Sequence, residues 1–452
     1  MPETLSSLWL ENVRRAPDAP AMIQGEGGRV WTRGDLQAAA ERWLGAVPAG
    51  VNLARCRVTL AEPNGPDWLA VFLGLLQAGA IVVPLDPAEP AEARDATAQA
   101  AGAAWLWEEG RLRPLAARRS ARRTDLCLVK LTSGSTGTPR AMTFTHAQMI
   151  ADGRQVCASM GIRPEDLNLG IIPFGHSYGL GNLIVPLLVQ GTPIVTAASP
   201  LPNALAADCH RWKPTVFPAV PMLLRALAHA DVDPAALASL RLVISAGAPL
   251  APEIAAAFAQ HFGQRIHSFY GSSETGGISF DRSGEATLTG RSVGTPMEGV
   301  RVKFRRGGRF LVESAAVLGA GHHSPPDRAE LNEFGELVLL GRTGRTAKIG
   351  GRRIDLGEIE KLLRSTPGVR EAYAMIHPTR PDAIAAVVAS DITAANLRQS
   401  LRARTALWKI PERLLVVPEL PRNARGKVDR RQLEKLIAEP SANSMTTQSG
   451  TA

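Results

Sequence analysis

The chain has 452 residues, 45% hydrophobic and 21% charged, an ordinary balance for a globular protein of more than one domain. Its net charge of +9 comes from 51 Lys and Arg against 42 Asp and Glu, but the basic residues are scattered. The densest cluster is Arg118, Arg119, Arg122 and Arg123, and no basic tract is interleaved with aromatics, so nucleic-acid binding is not expected and polyanionic small molecules fit better.

The first residues carry acids and lack a long apolar core, unlike a signal peptide, and no apolar run is long enough to span a bilayer, so a cytoplasmic protein is expected. Residues 4–16 predict an amphipathic helix ending before Pro17. Cys56, Cys127, Cys157 and Cys209 are far apart and form no C-x-x-C pair, which argues against structural zinc or a disulfide framework. Helices are predicted at Trp68–Ala78, Ala147–Met160, Pro221–His229 and Pro252–His261, and strands at Ile81–Leu85, Pro193–Thr196 and Leu242–Ser245. The alternation points to an α/β fold with mixed, mostly parallel sheets sandwiched by helices in a large N-terminal domain, 1–341. From about Asn332 the texture changes. Strand Gly335–Gly341 precedes a charged, Gly-rich stretch, then helix Leu356–Ser365, strands Ala372–His377 and Ile384–Ser390, and helix Ala394–Ala406. A small α+β C-terminal domain, 342–437, is expected, followed by a polar tail, 438–452, expected to be disordered.

Four constellations carry chemistry. In Leu131-Thr132-Ser133-Gly134-Ser135-Thr136-Gly137-Thr138-Pro139-Arg140, hydroxyls, glycines and a cation suit a polyphosphate, although the loop lacks the Gly-Lys-Ser/Thr of a Walker A motif. Tyr270-Gly271-Ser272-Ser273-Glu274-Thr275-Gly276-Gly277 supplies an aromatic face for a purine, hydroxyls for phosphate and a carboxylate for Mg²⁺. The third runs from Gly350-Gly351-Arg352-Arg353 to Glu360, and the fourth is Pro421-Arg422-Asn423-Ala424-Arg425-Gly426-Lys427-Val428-Asp429-Arg430. Singly, each is open to a blander reading: a glycine-rich turn with a chance carboxylate, or a solvated surface lysine.

In this order they resemble the adenylate-forming, AMP-binding superfamily of acyl- and aryl-CoA synthetases, peptide-synthetase adenylation domains and luciferases. The resemblance runs from about residue 5 to 437 and includes Leu73–Pro87, Ser245–Leu250 and Gly294–Val300. It implies a carboxylic acid substrate, ATP and Mg²⁺, an acyl-AMP intermediate with pyrophosphate leaving, and transfer to the thiol of CoA or of carrier-protein phosphopantetheine. Carried over residue by residue, Thr132, Ser133, Gly134, Ser135, Thr136, Gly137, Thr138 and Arg140 would cradle the β- and γ-phosphates. Tyr270 would stack on adenine with Gly247, Ala248 and Pro249 along the other side, and Gly271 and Ser272 would belong to the same ATP/AMP-binding set. Ser273 would contact the α-phosphate, Glu274 would hold Mg²⁺, Asp327 would accept the ribose hydroxyls and Arg342 would reach the ribose-phosphate side. Lys427 would bridge carboxylate and α-phosphate, Gly350, Gly351 and Arg352 would border the thiol tunnel, and the small domain would rotate between the half-reactions. The catalytic set so implied is Lys427, Glu274, Arg140 and Thr132.

Departures from the family pattern are Arg140 for a common lysine, Ala141 for a common glycine, Gly344 at the hinge, and the setting of Asp327 without its usual Thr-Gly. Amino-acid-activating relatives place an aspartate after Phe174; here Gly175 stands there, and a buried ammonium without a counter-charge is costly. An aliphatic or aryl acid is therefore expected, in a pocket with His176 at its mouth and walls including Val220 and Gly276, consistent with a place in fatty acid metabolism. The leading expectation is an acyl-CoA synthetase. Loading of a carrier protein is the nearest alternative, and an inactive nucleotide-binding homologue is a third. Which acid is used, the pathway and whether the chain forms a homodimer are left open.

Overall fold

The apolar runs of the first three hundred residues become the strands of two sheets, and the Ala/Leu-rich segments between them become covering helices. The computed structural model describes residues 2–89, 91–115, 121–132, 140–342, 346–349, 352–405, 407–423 and 426–438. The first sheet has nine strands, in the order Thr295–Pro296, Gly276–Phe280, Ile266–Ser272, Leu242–Ser245, Val216–Ala219, Asn168–Gly170, Ile194–Thr196, Pro20–Gln24 and Val30–Thr32. Its centre is parallel and both edges are antiparallel. The second has six, ordered Arg111–Pro114, Trp105–Glu108, Arg57–Ala61, Ile81–Pro84, Leu126–Thr132 and Arg140–Thr145, again parallel at the centre. This is the expected α/β arrangement. Strands such as Leu242–Ser245 are buried throughout because helices cover parallel sheets on both faces.

One apolar cluster joins the two sheets. It takes Val58, Val82 and Leu128 from the six-stranded sheet and Met22 and Ile194 from the nine-stranded one. Helix Pro66–Gln77 is buried on nearly every side between them, with Trp68 stacked on Phe72 at 4.7 Å. Gly74 is required there, since a Cβ would lie 2.4 Å from the Trp43 ring. Helix His146–Met160 is opened by a reciprocal cap between Thr145 and Gln148 and closed by Gly161 in the left-handed region. The helix predicted at Leu356–Ser365 runs Leu356–Arg364, and that predicted at Ala394–Ala406 stops at Arg402, its buried face ending with Leu401.

Contacts divide the chain into two compact units, the second comprising Leu340–Ala452 with the short pieces Gly307–Arg309 and Pro326–Ala329. In the second unit strands Val369–His377, Arg380–Ser390 and Arg413–Val417 form a three-stranded sheet. Alternation along its central strand sends Ile384, Ala386 and Val388 to one face, against Ile359, Leu363, Leu397 and Leu401. Ala385, Val387 and Ala389 face the other way, against Leu433 and Ile437 of helix Arg430–Ala438.

In the first unit, Glu336 ties strand and turn together. Its carboxylate accepts two bonds from Arg291, at 2.8 and 2.9 Å, and one each from Ser292 and Asn332 at 2.9 Å. The Arg291 guanidinium, helped by those two donors, holds its pKa down to about 2 from the usual 4.5. A depressed carboxylate adds stability that is whole above about pH 4.5 and is lost as pH falls toward 2. Glu336→Gln is expected to lower Tm at pH 7 by about 2–4 °C and to flatten the acid limb of the Tm–pH curve. Thermal scans across that range check it; an unchanged acid limb would contradict it.

Candidate active site

The site is assembled in the first unit from three turns at strand ends. The first follows strand Asn168–Gly170. Phe174 is fully buried and meets Trp68 edge-on at 5.6 Å. Asn64 clamps the same turn, donating to the Ile172 carbonyl at 2.9 Å and accepting the Phe174 N–H at 2.8 Å. So held, Gly175 lies against Pro84, where an added Cβ would sit 2.7 Å from the proline Cβ. Half-buried His176 lines, with Gly175, Asn64, Trp68, Leu85 and Asp86, a cavity of about 150 Å³. The family-like segment ending at Pro87 and the His176 motif thus share one cavity.

The second turn is the Tyr270–Gly277 motif, between antiparallel strands whose register shifts at Tyr270/Gly271. Thr275 is fully buried, and its hydroxyl accepts the Ser272 N–H at 3.2 Å and lies 3.0 Å from the Ser272 hydroxyl. The Glu274 carbonyl accepts the Leu318 N–H at 2.8 Å. Ser273 and Glu274 are half-buried at the bend, and Tyr270 is half-buried on its strand, beside exposed Gly271. The two turns meet directly: Ser273 Oγ lies 2.9 Å from Ser177 Oγ, next to His176.

The third turn follows strand Leu242–Ser245. Gly247 has φ +88°, and a Cβ there would stand 3.9 Å from Val220. Gly247, Ala248 and Pro249 are exposed, and Val220 is half-buried. Tyr178 joins this strand to the first turn, its hydroxyl donating to the Ile244 carbonyl at 3.3 Å.

Thr132 and Arg140 are paired across strands Leu126–Thr132 and Arg140–Thr145. Their side chains, and Ser133, Gly134, Ser135, Thr136, Gly137 and Thr138, lie outside the described residues, as do Gly344, Gly350, Gly351 and the side chains of Arg342 and Arg352. In the second unit, Asp327 opens strand Asp327–Leu331 and is half-buried. Lys427 is exposed in a turn closed by reciprocal bonds with Asn423: the Asn423 N–H donates to the Lys427 carbonyl at 2.8 Å, and the Lys427 N–H to Asn423 Oδ1 at 3.1 Å.

Sequence reading missed Asn64, Ser177 and a buried pair, Lys130 and Asp152. Lys130 Nζ lies 3.8 Å from Asp152 Oδ2, with side-chain exposures of 2% and 6%, and 4.5 Å from the Phe144 ring centroid. Burial pushes the Lys130 pKa down, opposed by the charges of Asp152 and Glu274. A lysine inside the otherwise apolar run Leu126-Cys127-Leu128-Val129-Lys130-Leu131 was the available signal.

Among the described residues no group of three His, Cys, Asp or Glu side chains could hold a metal unaided. A lone carboxylate at Glu274, flanked by hydroxyls, fits a magnesium ion that takes its other oxygens from nucleotide phosphates.

The family model for the AMP-binding enzyme matches residues 9–111 and 105–306, and that for the AMP-binding enzyme C-terminal domain matches 358–427. The chain belongs to the AMP-binding enzyme family. It is 28% identical to a probable non-canonical nonribosomal peptide synthetase of Salinispora arenicola, over 94% of this chain but 6% of that protein. The curated relatives of that kind are thus far longer than this chain. It is 26% identical to a sulfoacetate–CoA ligase of Cupriavidus necator, over 95% of this chain and 97% of that enzyme. The ATP-bound structure of MatB from Rhodopseudomonas palustris is similar with a TM-score of 0.81 at 20% identity, covering 96% of this chain and 99% of that one, which establishes the fold. AMP-forming ligases, both CoA ligases and peptide-synthetase segments, are therefore its relatives. Among the described residues no helix is long and apolar enough to cross a membrane.

Proposed function

We propose that the protein activates an aliphatic or aryl carboxylic acid, not an α-amino acid, as its acyl-AMP and passes the acyl group to CoA. The observation that carries the choice of acid is the packing of Gly175 on Pro84: a Cβ at 2.7 Å leaves no space for the aspartate that would pair a substrate ammonium. The approach to His176 through the cavity of about 150 Å³, walled partly by Trp68 and Leu85, supports an apolar acid.

In the first half-reaction a carboxylate oxygen of the acid attacks the α-phosphorus of ATP and the bond to the β-phosphate bridging oxygen breaks, yielding acyl-AMP and pyrophosphate. Positioning and charge neutralisation carry such a step. Tyr270 with Gly247-Ala248-Pro249 would hold the adenine. Ser273, oriented by the Ser177 hydroxyl at 2.9 Å, would donate to the α-phosphate. Thr132–Arg140 would hold the leaving pyrophosphate, Asp327 the ribose hydroxyls and Arg342 the ribose-phosphate side. Lys427 would bridge the carboxylate and the α-phosphate. Glu274 would hold magnesium, which when bound offsets phosphate charge. In the second half-reaction a thiolate attacks the acyl carbon, AMP leaves, and Gly350, Gly351 and Arg352 would border the thiol's path.

Full-length coverage of the sulfoacetate–CoA ligase supports CoA as acceptor. The likeness to a peptide synthetase supports carrier-protein phosphopantetheine as the second reading. Hydroxamate formation with ATP, hydroxylamine and a panel of fatty, aryl, short-chain and amino acids tests the acid. The same acids with CoA or a carrier protein then test the acceptor. Hydroxamate formation with α-amino acids alone would overturn the first claim, and CoA thioester at background rate the second.

A further inference from the structure

The geometry points to Asp152 and Lys130 as a positioning pair that ties the strand entering the phosphate-loop segment to the Tyr270–Gly277 turn. The inference rests on the adenylation reading above. Asp152 sits mid-helix on the buried face of His146–Met160 and divides its carboxylate between two partners. Oδ2 faces Lys130 Nζ at 3.8 Å, and Oδ1 accepts the Gly277 N–H at 3.1 Å. The contact with the turn is close. Gly276 has φ +68°, and a Cβ there would fall 2.1 Å from Asp152 Oδ1, so the turn's backbone lies on the carboxylate itself. Gly181, at the far side, leaves a would-be Cβ 3.4 Å from Oδ2.

Lys130 stands two residues before Thr132 on strand Leu126–Thr132, so its ammonium is anchored to the chain that leads into Ser133. The negative charge of Glu274 also acts on it. Stability does not account for the pair. Two desolvated charges meeting at 3.8 Å gain little over a well-packed apolar pair of equal volume. What such a pair supplies is registry: one carboxylate sets the distance between the strand leading to the pyrophosphate-binding segment and the turn bearing Ser273 and Glu274. An apolar pair would fill the space without fixing that distance.

The test compares the wild type with K130M/D152N, which removes both charges yet leaves an oxygen for the Gly277 N–H. Thermal unfolding and calorimetric binding of magnesium–ATP are read first, then acid-dependent pyrophosphate exchange. A melting temperature near the wild type is expected, with Kd for magnesium–ATP and KM for ATP each raised about 10-fold and KM for the acid unchanged. Wild-type ATP affinity and KM in a folded double variant would overturn the inference. Equal rises in KM for ATP and for the acid would do so too, since loosened structure does not select one substrate. If the double variant fails to fold, D152N alone, which keeps an oxygen for the Gly277 N–H and removes the carboxylate's attraction for Lys130, is read in the same way with the same two outcomes. A wild type that binds magnesium–ATP but exchanges pyrophosphate with no acid would overturn the adenylation reading. The ATP-affinity comparison would then still decide for or against the pair.

Discussion

Replacing Lys427 with alanine is expected to cut acid-dependent pyrophosphate exchange into ATP by roughly 10²–10³-fold while leaving thioester formation from presupplied acyl-AMP nearly unchanged. The turn's backbone bonds do not depend on the side chain of Lys427. The turn carrying Lys427 is closed by its backbone, through the Asn423 N–H to the Lys427 carbonyl at 2.8 Å and the Lys427 N–H to Asn423 Oδ1 at 3.1 Å. Gly426, at φ +70°, supplies the left-handed residue such a turn needs. Alanine keeps those backbone bonds and removes the side chain beyond Cβ with its ammonium, whose charge the proposed role calls on while negative charge builds between carboxylate and α-phosphate. A thiol attacking preformed acyl-AMP needs no such bridge. Separate assays of the two half-reactions check this, and equal loss in both would contradict the role assigned to the lysine.

The second large effect is expected at Gly276. Gly276→Ala should destabilise the first unit by about 3–5 kcal/mol and abolish adenylation. An alanine Cβ would stand 2.1 Å from Asp152 Oδ1, so the carboxylate must move. Moving it breaks the bond to the Gly277 N–H and leaves Lys130 buried without its partner. Gly263 is the control. It has a nearly equal φ of +70°, with nothing within 4 Å of a would-be Cβ. Gly263→Ala carries the left-handed backbone cost alone, about 1 kcal/mol. Denaturant unfolding of both variants separates the clash from the backbone term. Equal losses would show that the contact with Asp152 carries no weight.

Much of this could be read from residue order. The apolar runs Ile81–Leu85 and Leu242–Ser245 became central strands, and the segments starting at Pro221 and Pro252 became helices, because the proline at each start suits a first helical turn. The family was legible because several motifs occur in a fixed order along the chain, whatever the value of each alone. The candidate residues Ser273, Glu274 and Tyr270 could be named for the same reason, since they stand within five positions of one another. The support beneath them was not. Asn64 reaches Phe174 across 110 positions, Ser177 reaches Ser273 across 96, and Asp152 reaches Gly277 across 125.

The sequence by itself determined the alternation of strand and helix, the family and the order of its motifs, since these depend on local periodicity and on residue types a few positions apart. Only the tertiary structure decided that Gly175 is pressed against Pro84, that the Ser177 and Ser273 hydroxyls meet, and that a buried lysine and aspartate lie together beside the motif turn. These are encounters between distant segments, set by which strand lies beside which and by the space left after close packing. No periodicity in the chain encodes them.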